Sequence, residues 1–182
     1  MGVHVHEHCL KMARRDDGTP WWSAFPEPAS SPAKIAASEV AQLLQGRDLR
    51  KPHGFLLVDT RRTDCIGGTI QGSLNLPAHS FYLMRAMLHD LCKQAGIQRI
   101  IFYCGSSNGR GPRCAAWMQD YINSLSDGHG SDYESDSGCA PEMATQVMTG
   151  GIRGWVKAYG GGMMEGYDEK TWQDPKPDEE TR

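Results

Sequence analysis

Residues 100–113 read Ile-Ile-Phe-Tyr-Cys-Gly-Ser-Ser-Asn-Gly-Arg-Gly-Pro-Arg, and this stretch predicts the centre of the fold. The apolar run from Ile100 to Tyr103 does not alternate with polar residues, which is typical of a strand covered on both faces of a parallel sheet. Cys104 then lies at the carboxyl end of the strand, where open α/β sheets bind their ligands. Because proline is favourable at the first helical position, we expect a tight loop and then a helix that starts at Pro112.

The loop between Cys104 and Arg110 predicts an anion site. Its five small residues, which let successive backbone N–H groups point inward and bind an oxyanion, are Gly105, Ser106, Ser107, Asn108 and Gly109. The helix N-terminus and the guanidinium of Arg110 add positive charge, so we expect the pKa of Cys104 to fall from about 8.5 to between roughly 3.5 and 7.5. We therefore predict Cys104 and Arg110 as the catalytic residues and 105–109 as the oxyanion-binding loop. The alternative is an ordinary buried cysteine at a strand end.

Composition limits the classes of protein to consider. A chain of 182 residues with 39% apolar content can form one domain with a real core. The net charge of −3 gives no reason to expect a nucleic acid or a membrane surface as partner. The N-terminus lacks an apolar segment long enough for a signal peptide. The six cysteines are irregularly spaced, which indicates reduced thiols, so we expect a cytoplasmic or nuclear location.

The rest of the chain alternates strand patterns with helix patterns, which predicts an α/β domain with a mainly parallel sheet. We assign 1–31 to a largely irregular N-terminal arm and 32–160 to the catalytic domain. An exposed acidic insertion is predicted at about 126–141, and 161–182 is assigned to a C-terminal tail.

Two features of the arm need separate interpretations. The aromatic run from Trp21 to Phe25 would be costly to leave in water, so we expect the arm to pack against the domain, with partner binding as the alternative. His4, His6, His8 and Cys9 are weakly placed metal ligands in an irregular terminus, and we predict no metal site.

Four blocks of the sequence, in the correct order, resemble the signature of a rhodanese domain. They are Asp59-Thr-Arg61, the glycine-rich segment 64–77, the cysteine loop 104–110, and Gly150-Gly-Ile-Arg-Gly-Trp155. The resemblance covers roughly residues 32–159. It implies a single rhodanese-like domain with a central, mainly parallel sheet flanked by helices.

Loop length separates the chemistries within that superfamily. Sulfurtransferases typically carry a loop one residue shorter, whereas 104–110 resembles the loop of the cell-division-cycle type dual-specificity phosphatases and of small fungal phosphatases and arsenate reductases. The resemblance therefore implies a cysteine phosphatase that hydrolyses phosphotyrosine-like monoesters through a thiophosphate intermediate and needs no cofactor. The alternative that it implies is arsenate reduction, with glutathione as co-substrate and glutaredoxin as partner. Thiosulfate sulfur transfer and a non-catalytic binding module are less favoured.

Several residues depart from the pattern of those phosphatases. Tyr103 replaces a histidine that commonly precedes the cysteine, Gly109 replaces a glutamate, and Thr60 stands where a second, protective cysteine is found. We assign no general acid, since Asp59 beside Arg61 more often makes a structural ion pair. Cys114 is one candidate for an internal resolving thiol, but we prefer a core cysteine.

Overall fold

The computed structural model describes residues 19–46, 54–127 and 143–173. Its centre is a five-stranded sheet made of β1 (Ala33–Ile35), β2 (Phe55–Asp59), β4 (Ser73–Asn75), β5 (Arg99–Tyr103) and β6 (Ala144–Met148). The order across the sheet is β1-β6-β5-β2-β4, and every neighbouring pair of strands is parallel. The predicted α/β architecture with a parallel sheet is confirmed.

Helices cover both faces of this sheet. They are α1 (Ala37–Gln45), α2 (Ala78–Gln94), α3 (Arg110–Asp127) and α4 (Gly151–Tyr159). The face that carries Phe102 packs against α2 and α3, whereas the face that carries Ile101 packs against α1 and α4. Because β5 lies between β6 and β2 and is covered on both faces, its residues from Ile100 to Tyr103 are all fully buried, which explains their lack of alternation.

The described part of the N-terminal arm, residues 19–31, packs against the domain, as its aromatic run predicted. A short 3-10 helix, Trp21–Ala24, places Trp21 in the core with a stacked contact to His79 at 4.3 Å between ring centroids. Trp117 in α3 donates a hydrogen bond from Nε1 to the carbonyl of Pro26 at 2.7 Å. The described part of the arm is therefore part of the folded domain on the α2–α3 face.

The boundary of the C-terminal tail at residue 161 requires correction. A two-residue strand β3 (Thr69–Ile70) pairs antiparallel with β7 (Met164–Glu165), and a short helix α5 (Glu169–Gln173) follows. Trp172 in α5 donates from Nε1 to the carbonyl of Gly67 at 2.7 Å. Residues 161–173 thus belong to the domain, because they cover the glycine-rich turn of 67–68.

Other predictions fall partly or wholly on residues that the structure does not describe. Ser126 and Asp127 end α3, and the remainder of the predicted acidic insertion, from residue 128, lies outside the described residues. The His4, His6, His8 and Cys9 group also lies outside them. Of the helices within the described ranges, none combines the length and the apolar character that crossing a membrane requires.

Candidate active site

The cysteine loop lies at the carboxyl edge of the sheet, between β5 and α3. Cys104 follows β5 directly and is fully buried. The helix begins at Arg110, two residues before the predicted start at Pro112, and Arg113 donates its N–H to the carbonyl of Gly109 at 3.0 Å. Proline is still tolerated here because the first four N–H groups of a helix have no partner within the helix.

The first turn of α3 approaches the end of β5 closely, and Gly111 makes this possible. A Cβ atom at Gly111 would lie 3.3 Å from backbone atoms of Tyr103 and Cys104. The missing side chain therefore lets the helix N-terminus sit directly behind the cysteine. A helix N-terminus favours negative charge, so this position suits either a thiolate or a bound oxyanion.

The start of α4 fixes the orientation of the loop backbone. Ile152 donates its N–H to the carbonyl of Cys104 at 2.9 Å, and Arg153 donates to the carbonyl of Gly105 at 3.1 Å. Since trans peptide groups are planar, the N–H groups of the following residues, Gly105 and Ser106, point away from α4. Gly151 permits the contact, because a Cβ there would lie 2.5 Å from both carbonyl oxygens.

Ser107 supplies an internal contact of the loop. It adopts a left-handed backbone conformation with a φ of 58°, and its side chain is nearly buried. Its Oγ accepts a hydrogen bond from the N–H of Cys104 at 3.4 Å. This hydrogen bond joins the start of the loop at Cys104 to its middle at Ser107.

Arg110 is held by a carboxylate that the sequence analysis did not select as a site residue. Its Nη1 donates to Oδ1 of Asp64 at 2.8 Å, and its Nη2 donates to Oδ2 at 2.6 Å, a bidentate pair. Only 1% of the Arg110 side chain and 13% of the Asp64 side chain are exposed. Asp64 lies in a 3-10 turn (Thr63–Cys65) shortly after β2, the strand that pairs with β5. The contact follows from the adjacency of β2 and β5, which brings the segments after both strands to the same edge of the sheet.

The environment of Asp64 keeps its carboxyl ionised. Burial alone would raise the pKa of Asp64, but the hydrogen bonds and positive charge of Arg110 and the N–H of Arg62 outweigh it and lower the pKa below its ordinary value. A carboxyl that is ionised at neutral pH accepts hydrogen bonds but donates none. Asp64 is therefore not a general acid in this arrangement.

Asp59 and Arg61 form a second buried pair near the site. The Nε of Arg61 donates to Oδ1 of Asp59 at 3.0 Å and its Nη2 donates to Oδ2 at 2.6 Å. Thr69 also donates to Asp59 Oδ2 at 3.0 Å, and Asp59 is fully buried. Asp59 is thus committed to a structural ion pair, the role that the sequence analysis preferred for it.

Tyr103, which replaces the usual histidine, belongs to the same polar network. Its hydroxyl donates to Ser73 Oγ at 2.9 Å, accepts from the N–H of Ile70 at 3.2 Å, and lies 2.6 Å from Thr69 Oγ1. Burial raises its pKa far above the usual range of tyrosine, and the charge of Asp59 adds to this. The phenol therefore ties the end of β5 to β3 and β4 and stays neutral.

Two of the other cysteines in the described residues, Cys92 and Cys114, are buried, whereas Cys65 is partly exposed. Burial, followed by the nearby Cys104, raises the pKa of Cys114 well above its ordinary value, although Arg113 and Arg110 act in the opposite direction. Burial also raises the pKa of Cys92 to about 11. These raised pKa values agree with Cys114 as a core cysteine.

In place of a protective cysteine, Thr60 donates both its N–H and its Oγ1 to the carbonyl of Tyr103, at 2.9 and 3.0 Å.

The structure thus brings together the residues that the sequence selected, namely Cys104, Arg110 and 105–109, and adds Asp64. Their catalytic roles stay predictions. Within the described residues, no group of three or more His, Cys, Asp and Glu side chains is arranged to hold a metal ion.

Comparison with known proteins identifies the fold. No family model matches the chain, and no curated protein matches its sequence. Among solved structures, the As-Sb reductase from Leishmania major matches with a TM-score of 0.58 and 22% identity, over 73% of this chain and 84% of that one. Ygr203w, described as a yeast protein tyrosine phosphatase of the rhodanese family, matches with a TM-score of 0.57 and 24% identity, over 79% and 99% of the two chains. A second structure of Ygr203w from Saccharomyces cerevisiae gives 0.59 and 21%, over 80% and 94%. The protein therefore has the rhodanese fold.

Proposed function

We propose that the protein is a cysteine-dependent phosphatase that hydrolyses phosphate monoesters of the phosphotyrosine kind. The observation that supports this proposal is the bidentate hydrogen bonding of Arg110 to the carboxylate of Asp64, at 2.8 and 2.6 Å. Arg110 lies at the opposite end of the loop from the buried Cys104. The oxygens of a phosphoryl group match the planar fork of arginine in the same way as a carboxylate does. Asp64 thus marks the place where a substrate oxyanion would bind Arg110.

The chemistry requires two displacements at phosphorus. The thiolate of Cys104 attacks phosphorus, an S–P bond forms, and the P–O bond to the leaving group breaks. Water then attacks the same phosphorus, the S–P bond breaks, and inorganic phosphate leaves with the thiolate regenerated. Arg110 and the loop amides stabilise the negative charge on the equatorial oxygens in both steps, because these donors are oriented before the reaction begins.

The ionised state of Asp64 favours aryl esters as substrates. Without a proton from Asp64, the leaving oxygen departs as an anion or takes its proton from water. A phenol such as tyrosine has a pKa of about 10 and leaves more readily than an alkoxide. We therefore expect phosphotyrosine to be hydrolysed faster than phosphoserine. One protein of the same fold, Ygr203w, carries the description of a tyrosine phosphatase, which is compatible with this proposal.

The decisive experiment compares the native protein with Cys104→Ser on p-nitrophenyl phosphate and phosphotyrosine. Removal of the sulfur nucleophile should lower the rate of phosphate release by about 1,000-fold or more. Cys92→Ser makes the same atomic change at a buried cysteine in the last turn of α2 and should keep the activity of the native protein. Phosphate release by folded Cys104→Ser at the native rate would refute the proposal.

Complete burial of Cys104 favours a small oxyanion and so supports arsenate reduction as a second candidate. Here the thiolate attacks arsenic, an S–As bond forms and water is displaced. Two molecules of an external thiol such as glutathione then reduce As(V) to As(III) and become a disulfide. Water finally breaks the S–As bond, so that arsenite leaves and the thiolate of Cys104 is regenerated. The resemblance implies an external thiol, and burial, which keeps the pKa of Cys114 high, argues against Cys114 as an internal one. A reductase of the same fold is known from Leishmania major.

Parallel assays separate the candidates. Arsenate turnover with glutathione and glutaredoxin, in a protein that does not release phosphate from aryl esters, would favour the second candidate. Thiocyanate formation from thiosulfate and cyanide would instead indicate sulfur transfer. Phosphate release alone, lost in Cys104→Ser, identifies the phosphatase.

A further inference from the structure

A cavity lies beside the cysteine loop, between the arm, β1 and α3. It has a volume of about 540 Å³, and we call it the arm pocket. Its lining residues include Pro28, Pro32, Lys34, Ser107, Arg113 and Val147. Asn108 and Gly109 also line it, so the pocket shares part of its wall with the predicted oxyanion loop, while Cys104 and Arg110 do not line it.

The arm side of this pocket is fastened to α3. The carboxylate of Asp120 accepts hydrogen bonds from the N–H groups of Ala29 and Ser30, at 2.9 and 2.8 Å. The amide of Asn123 adds a contact to Ser30 Oγ at 3.3 Å. Because these contacts hold the arm between Pro26 and Pro32, the cavity has a fixed wall.

The pocket is positively charged. Lys34 and Arg113 line it, and no Asp or Glu is among the lining residues. Lys34 pairs in register with Val147, so both side chains project on the α3 face of the sheet. The Arg113 guanidinium lies 4.3 Å from the centre of the Trp22 ring, and its Nε is buried with no hydrogen-bond partner among the described residues. Neither cation forms an ion pair with a carboxylate in the part of the chain that the structure describes.

These features define the chemistry of a ligand. Two cations that pair with no lining carboxylate attract the carboxylate of a ligand, and the apolar surfaces of Pro28, Pro32 and Val147 suit the methylene groups of that ligand. The volume falls in the ordinary range of ligand pockets, about 300–1,000 Å³. A free oxyanion bound at the loop would not contact the arm pocket. A substrate that extends beyond its phosphoryl group could place a further group there.

We propose that the arm pocket binds an acidic side chain of a phosphopeptide substrate, next to the phosphotyrosine whose phosphoryl group the loop holds. The inference rests on the proposed phosphatase function and specifies the substrate for it. The protein accordingly selects phosphotyrosine that has glutamate as a neighbour. Lys34 and Arg113 determine this selectivity from outside the catalytic loop.

The test uses two phosphotyrosine peptides that differ only in having glutamate or glutamine on both sides of the phosphotyrosine. The ratio of their kcat/KM values should favour the glutamate peptide by about 5-fold at low salt, the upper range for partly exposed charge pairs. Lys34→Gln should bring this ratio towards one. Lys157→Gln removes an exposed lysine on α4, which does not line the pocket, and should leave the ratio unchanged.

Failure of the inference differs from failure of the phosphatase proposal. Equal kcat/KM values for the two peptides in an active protein, or the same fall in the ratio in both lysine variants, would overturn the inference alone. If the native protein hydrolyses neither peptide, the phosphatase proposal fails, and calorimetric titration of Cys104→Ser with the same peptides decides the inference. Tighter binding of the glutamate peptide supports the arm pocket, and equal or absent binding refutes it.

Discussion

Arg61 and Arg110 lie at the same edge of the sheet, are each 1% exposed, and each donate hydrogen bonds to both oxygens of a carboxylate. Their surroundings nevertheless differ. Arg61 also donates to the carbonyls of Asp64 and Gly68, at 3.1 and 2.7 Å, and its partner Asp59 is fully buried. The partner of Arg110 is 13% exposed, at the rim of the site. All three side-chain nitrogens of Arg61 donate hydrogen bonds to other groups of the protein. The carboxylate that Arg110 holds is instead one that water or a ligand can reach. This difference, rather than the burial of the guanidinium, separates a structural arginine from one suited to bind a substrate.

The largest expected effect concerns the structural pair. Asp59→Asn removes the charge that balances Arg61 and should lower the free energy of unfolding by about 3–5 kcal/mol, since a buried cation is left without its partner. Urea unfolding followed by circular dichroism measures it. Asp90→Asn, at a side chain that is 65% exposed, is the control and should change the free energy by less than about 0.5 kcal/mol. If Asp59→Asn costs no more than Asp64→Asn, the two pairs do not differ as described.

Arg110→Lys should act on catalysis more than on stability. Lysine keeps the positive charge near Asp64 but loses the planar fork, so kcat for p-nitrophenyl phosphate should fall by about 100- to 1,000-fold. The matching change Arg99→Lys, at an exposed residue where β5 begins, should leave kcat unchanged. Steady-state kinetics of both variants provide the test. A native kcat in Arg110→Lys would remove Arg110 from the oxyanion site.

Asp64→Asn addresses whether the partner of Arg110 competes with the substrate. Without the carboxylate charge, the site no longer repels an oxyanion, and inorganic phosphate should inhibit about 3- to 10-fold more strongly. The inhibition constant of phosphate, measured against an aryl phosphate, reports this. Weaker inhibition in the variant would instead mean that Asp64 is needed to orient Arg110 and does not compete.

The smallest effect is the pH dependence that Asp64 contributes to stability. Its pKa in the folded protein is below that of the unfolded chain, so its stabilising contribution is present above about pH 4, the unfolded value, and is lost as the pH falls through the folded pKa. The free energy of unfolding should therefore decline below about pH 4 more steeply in the native protein than in Asp64→Asn. Urea unfolding at several pH values measures both slopes. Equal slopes would show that the Arg110 pair adds no acid-sensitive stability.

The central strand and its loop were predictable because their information is local. The apolar run before Cys104, the small residues of 105–109 and the proline after Arg110 each restrict the backbone of their own segment. The pair of Asp64 and Arg110 was not predictable in the same way, since it depends on the parallel pairing of β2 with β5, which no single segment encodes. The strand β7 was not predicted for another reason, because two residues are too few to show the alternation of a strand.

The contact between α4 and the loop has a consequence for how variation in this protein should be interpreted. Ile152 and Arg153 act on the loop through backbone N–H groups alone, and Gly151 acts by lacking a side chain. An alanine at 151 would collide with the carbonyls of Cys104 and Gly105 and turn their peptide groups, although every side chain of the loop would remain. The anion-binding geometry of the loop therefore depends partly on a second segment, more than 40 residues further along the chain. That segment contributes no functional side chain. An inventory of conserved reactive groups would overlook it.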